Sequence, residues 1–131
     1  MPITGLDHVV VTVSDVEAAV DFYTRLPGIE HVTYGGGGDG PVRHALRFGD
    51  QKINLHEAGD EIEPRASAAE PGDSDLCLLT DADPAALVAE VEAAELRIEL
   101  GPVERTGARG TLASVYIRDP DGSLIEIATY A

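Results

Sequence analysis

Short β-branched runs, one amphipathic stretch in each half of the chain and regularly placed Gly and Pro give most of the elements. The run Asp7-His8-Val9-Val10-Val11-Thr12-Val13 predicts a strand over 7–13, and Ser14-Asp15 caps a helix over 16–26. Pro27-Gly28 ends that helix. Residues 29–34 predict a second strand, 35–41 a hairpin loop, and 42–48 and 52–56 two more strands joined at Gly49-Asp50. From 57 to 74 the chain is acidic, contains Pro and Ala and keeps no period, as a surface connection does. The order then repeats. Residues 75–80 predict a strand, Asp83-Pro84 opens a helix through 95, 97–100 predicts a strand, and 111–118 and 124–129 form a hairpin across Asp119-Pro120-Asp121-Gly122. Placing His8 over Asp75 keeps the element types in step, so we expect an internally duplicated α+β domain. It consists of a module 1–57, a linker 58–73 and a module 74–131.

Side chains alternate across a strand, so the same pattern assigns faces. Val9, Val11 and Val13 take the side of the helix that carries Val16, Val20 and Tyr23, while His8, Val10 and Thr12 face away. Ile53 and Leu55 take the helix side, and Asn54 and His56 the open one. In the second module Leu76 and Leu78 oppose Asp75 and Cys77, Val115 and Ile117 oppose Ser114 and Tyr116, and Ile125 and Ile127 oppose Glu126. One open face thus collects His8, Asn54, His56, Asp75 and Glu126.

Composition narrows the function. With 24 Asp and Glu against 9 Lys and Arg the net charge is −15, which repels phosphate backbones and anionic lipid, so neither nucleic acid nor membrane is an expected partner. No apolar run approaches a membrane span, and the first residues lack the basic flank of a signal peptide, so a cytoplasmic protein is expected. One Cys, Cys77, excludes an internal disulfide and a thiolate zinc site, and it reads as a small apolar residue. A single Lys, Lys52, beside 8 Arg and many Ala and Gly fits either a GC-rich genome or an acidic, halophilic surface. Neither glycine-rich stretch has the context of a dinucleotide loop or a P-loop, and Gly72-Asp73-Ser74-Asp75 is no nucleophile elbow.

Carboxylates, imidazoles and an amide on otherwise apolar strands carry a desolvation cost that a divalent cation would relieve. Two His and one carboxylate with open positions suit Fe, and equally Mn, Ni or Zn. The candidate ligands are His8, His56 and Glu126, with Asn54 and Asp75 against the substrate. The alternative is that His8 and His56 bond to Asp7, Glu57 or backbone, and that Glu126 pairs with an Arg. Arg47 and Tyr116 have the parity to face the same pocket, where a guanidinium would hold an anion and a phenol would donate a proton. Arg105 and Arg109 flank Thr106-Gly107 in an expected loop, a candidate substrate lid. Arg118 belongs to the Asp119-Pro120-Asp121-Gly122 turn and reads as structural.

Several segments carry a family resemblance. They are Gly5-Leu6-Asp7-His8, Phe22-Tyr23, the stretch from Phe48-Gly49-Asp50 to Asn54-Leu55-His56-Glu57, Gly101-Pro102-Val103-Glu104-Arg105-Thr106-Gly107-Ala108, and Tyr116-Ile117-Arg118-Asp119-Pro120-Asp121-Gly122 with Leu124-Ile125-Glu126. Over nearly its whole length the chain resembles the vicinal oxygen chelate superfamily of glyoxalases, bleomycin-resistance proteins and extradiol dioxygenases. The resemblance implies two βαβββ modules in an open, U-shaped barrel of mixed sheet. It implies metal positions at His8, Asn54, Asp75 and Glu126, of which His8 and Glu126 fit outright. Glyoxalase I would place Glu at Asn54 and His at Asp75. Two functions follow as expectations: a metal-dependent lyase, isomerase or ring-cleaving dioxygenase with Glu126 and Tyr116 as catalytic groups, or a binder that sequesters a small molecule without catalysis. Exposed sheet edges lead us to expect a homodimer.

Overall fold

The computed structural model describes residues 1–38 and 40–131. Position 39, inside the expected loop 35–41, lies outside the described residues. The chain divides into two compact units, Met1–Pro71 and Gly72–Ala131.

In the first unit β1 (His8–Val13) leads to α1 (Val16–Tyr23), followed by β2 (Glu30–Gly35), β3 (Val42–Phe48) and β4 (Gln51–Glu57). The strands lie in the order β1-β4-β3-β2, with β1 parallel to β4 and the other pairs antiparallel. Asp15 caps α1, its side chain accepting from the Glu17 and Ala18 amides, and Glu57 at the end of β4 accepts from the Val16 amide. Two side chains thus occupy three amides that a helix start leaves unpaired. The expected helix 16–26 ends early as an α-helix. The Arg25 and Leu26 amides bond three residues back, to Phe22 and Tyr23, a tightening consistent with Pro27 disfavouring helical backbone just before it. Val11, Val13, Ala19, Tyr23, Leu46, Ile53 and Leu55 form the core between helix and sheet.

The second unit repeats the plan. Its elements are β5 (Asp75–Leu79), a 3₁₀ turn (Pro84–Ala86), α2 (Leu87–Ala93), β6 (Leu100–Thr106), β7 (Thr111–Arg118) and β8 (Leu124–Tyr130). The strand order is β5-β8-β7-β6, with β5 parallel to β8. The single helix expected through 95 is a 3₁₀ turn and a short α-helix, and Glu95 at φ +61 takes the left-handed conformation that ends it. Leu87, Val91 and Leu96 pack with Val115, Ile117, Ile125 and Ile127 in this core.

The strand expected at 97–100 is displaced: β6 begins at Leu100 and runs to Thr106. Gly101-Pro102 punctuates the sequence, but its register against β7 shifts between Leu100 and Val103, and β6 is an edge strand. A bulge on an edge accommodates both residues, because no further strand needs the missing proline donor. The segment read as a loop carrying a lid is therefore strand up to Thr106. Among the described residues no helix is long and apolar enough to cross a membrane.

Candidate functional site

Strand register sets the level of each side chain, which alternation alone does not. In the first unit His8 lies opposite Lys52, Val10 opposite Asn54 and Thr12 opposite His56. Asn54 is thus two residues beyond the level of His8 and His56 four, or ~6.6 Å and ~13 Å along the strands. The imidazoles of His8 and His56 share a face but do not converge on one ion, which corrects the expected pairing of the two as ligands. Of the two, Asn54 is the nearer to His8 in register. It is 8% exposed, and its Oδ1 is buried with no hydrogen-bond partner.

His8 is exposed, with Nδ1 2.8 Å from Asp7 Oδ1. A carboxylate accepts only, so Nδ1 donates and the Nε2 lone pair is left for a ligand. A carboxylate behind the far ring nitrogen is how metal-binding histidines are commonly oriented. The donors of the first unit therefore fit a divalent cation: an oriented imidazole and a buried amide oxygen lacking a donor. Among the described residues no three His, Cys, Asp or Glu side chains group as ligands, and the contribution of this unit is His8 with an amide.

The second unit repeats the offset. Asp75 lies opposite Leu124, two residues before the level at which Cys77 faces Glu126. Glu126 is half-buried, and Oε2 accepts a 2.6 Å hydrogen bond from Ser114 Oγ, itself fully buried. This replaces the expected alternative of an Arg partner; alternation puts Ser114 on the face of Glu126, and only the pairing of β7 with β8 brings the two together. Cys77, an exposed free thiol, lies opposite Glu126 on β5. Partial burial of its thiol, then the Glu126 carboxylate, push its pKa up to about 11. The thiol is held protonated beside the carboxylate, and the side chain is exposed, which departs from the expected small apolar residue.

Tyr116 lies opposite Glu126 on β7, and its phenol oxygen accepts from Arg105 Nε at 2.9 Å. With a donor already on that oxygen, the phenol proton points elsewhere. A shallow cavity of about 230 Å³ opens here, lined by Glu99, Leu100, Arg105, Tyr116 and Leu124. Arg109 lies in the turn after β6, with its guanidinium carbon 4.4 Å from the Tyr130 ring centre and its amide bonded to the Tyr130 hydroxyl. Arg105 and Arg109 are thus anchored on tyrosines rather than carried on a free lid. Arg118 makes a two-pronged pair with Glu99, which draws the Glu99 pKa down, and also holds the Gly122 carbonyl, as its structural reading expects. In the first unit Arg47 pairs with Glu30 at 3.2 Å.

Comparison with known proteins bears on these positions. The model of the Glyoxalase/Bleomycin resistance protein/Dioxygenase superfamily matches residues 5–127. Virulence protein STM3117 of Salmonella typhimurium is 48% identical over 130 residues, covering 99% of this chain and 87% of that protein. Its crystal structure superposes with a TM-score of 0.91 over 100% of both chains, at 47% identity. Glyoxalase domain-containing protein RDO1 of Mycosarcoma maydis is 43% identical, covering 99% of this chain and 70% of that protein. An integron cassette protein from the mobile metagenome of V. Cholerae is 46% identical, with a TM-score of 0.90 over 100% of this chain and 98% of that one.

Proposed function

Because the chain belongs to the Glyoxalase/Bleomycin resistance protein/Dioxygenase superfamily, we propose that it is a metal-dependent enzyme acting on a small substrate chelated through adjacent oxygens. The reaction class is lyase, isomerase or ring-cleaving dioxygenase. The observation that carries this reading is the buried, partnerless Oδ1 of Asn54, two residues in register from an imidazole whose Nε2 is free to ligate. An unpaired buried acceptor costs about 1–3 kcal/mol, and a cation offsets that cost. In this reading His8 and Asn54 are the donors of the first unit, and Glu126 keeps the ligand role the resemblance gives it. His56 is left out by its level on β4. The ion would be Fe, Mn, Ni or Zn, since this donor set does not select among them.

A divalent ion bound there acts as a Lewis acid on the substrate oxygens. The other tasks belong to the chain. Asp7 fixes the tautomer and direction of His8. Ser114 donates to Glu126, fixing its carboxylate while leaving acceptor capacity on it. Arg105, bonded to the phenol oxygen of Tyr116, directs the phenol proton away from itself and toward the open face, where Tyr116 donates it to a substrate oxygen.

Elemental analysis of protein purified without chelator or affinity metal tests the reading. About one metal per chain is expected, lost in His8→Ala and lowered in Asn54→Leu. A wild-type chain that takes up none of Fe(II), Mn, Ni or Zn overturns it. One observation favours a second reading in that event: Asn54 and Asp75 stand where the glyoxalase I pattern carries Glu and His. The chain is then a small-molecule binding protein of the bleomycin-resistance type, which needs no metal.

A further inference from the structure

In a chain with 24 carboxylates and nine Lys or Arg, a basic side chain without an acidic partner is one the fold has kept away from acids. Arg25, Arg47, Arg65 and Arg118 are ion-paired. Lys52, Arg43, Arg97, Arg105 and Arg109 are not, among the described residues, and of these Lys52 and Arg43 share a site. Both instead address one ring: Lys52 Nζ lies 4.0 Å from the centre of Tyr34, and the Arg43 guanidinium carbon lies 6.0 Å from it. All three side chains are half-buried.

A ring face attracts a cation through its quadrupole but brings no charge of its own. Two cations gathered on one tyrosine therefore remain a doubly positive locus in a molecule of net charge −15, and they repel each other. Three partly dehydrated groups held this way form a recognition surface for an anion, which would relieve the repulsion and accept hydrogen bonds from both cations. The location supports a substrate rather than a stray counterion. Tyr34 lies opposite Arg43, alternation along β4 puts Lys52 on the face of Asn54, and Lys52 lies directly opposite His8 on the neighbouring strand. The locus thus runs along the face that carries the donors assigned to the metal, from Lys52 opposite His8 to Arg43 and Tyr34 at the level of His56.

We propose that Lys52, Arg43 and Tyr34 form an anion subsite, and that the substrate carries a carboxylate, phosphate or phosphonate group in addition to its chelating oxygens. Placing that group on the enzyme's own substrate rests on the reading of His8 and Asn54 given above, whereas anion binding at Tyr34 does not. The two are separated by one set of variants.

The full chain is titrated with inorganic phosphate at constant ionic strength while the amide resonances of Tyr34, Arg43 and Lys52 are followed by NMR. A saturable shift centred on these residues is expected. Lys52→Gln and Arg43→Gln should each weaken it by about tenfold. Lys52→Arg should restore part of the loss, and Tyr34→Phe, which keeps the ring face, should change it by less than about threefold. His8→Ala should leave phosphate binding as it is while abolishing metal uptake. Absence of saturation, or saturation that neither glutamine variant alters in a chain whose spectrum remains dispersed, overturns the subsite. Phosphate binding in a chain that takes up no metal overturns the metal reading alone, and metal uptake without phosphate binding overturns the subsite alone.

Discussion

Cys77 is the side chain whose chemistry depends most directly on one neighbour. Its thiol pKa stands at about 11 instead of 9.0, the causes being burial first and Glu126 second. At pH 8.5 its thiolate population, and with it the rate of alkylation by iodoacetamide, should be about a hundredfold below that of an unhindered cysteine. Glu126→Gln removes the negative charge that disfavours the thiolate and should speed alkylation several-fold; a variant no faster than wild type would show burial to be the whole cause. The same shift bears on stability. The folded chain holds a proton that the unfolded chain releases near pH 9, so the unfolded state binds fewer protons above that value and stability falls as pH rises. The contribution is fully present below pH 9 and is lost through about pH 11, which urea denaturation at pH 8, 9.5 and 11 would register.

At the scale of elements, the bulge in β6 holds backbone that no side chain fits. Gly101 sits at φ +120, and a Cβ there would lie 2.6 Å from the Ser114 carbonyl oxygen and 2.9 Å from Val115 Cα. Both are backbone atoms of the neighbouring strand, so no rotamer change relieves the clash. Gly101→Ala should cost about 1–3 kcal/mol and lower the thermal midpoint, measured by far-UV circular dichroism. This element also marks where the sequence stopped being readable. Gly-Pro is punctuation in one dimension, and only the pairing with β7 makes it a bulge within a strand. The strands that alternate cleanly between turn residues, β1, β3, β4, β7 and β8, were legible to within about a residue. The candidate site was legible to its face but not to its level. A period of two states which side of the sheet His56 occupies, whereas its distance from His8 depends on which residues pair across the sheet. Lys52 shows the same limit, since composition singles it out while only the folded register brings it to Tyr34 and His8.

For the whole molecule, the excess of carboxylates governs the response to salt. A net −15 on 131 residues makes each carboxylate repel the rest at low salt, and screening relieves the compact state more than the expanded one. Raising KCl from about 0.05 M to molar concentration should increase the midpoint of thermal unfolding by roughly 3–6 °C, equivalent to about 1 kcal/mol. Identical melting at both concentrations would remove the halophilic reading and leave the scarcity of lysine to genome composition. That scarcity has a chemical outcome. Lys52 supplies the only ε-amine of the chain, so acylation of a lysine side chain has one address, on the Tyr34 ring. Acylation there replaces an ammonium with a neutral amide, so a single covalent event would switch off half of the positive locus and tag the molecule at one defined point.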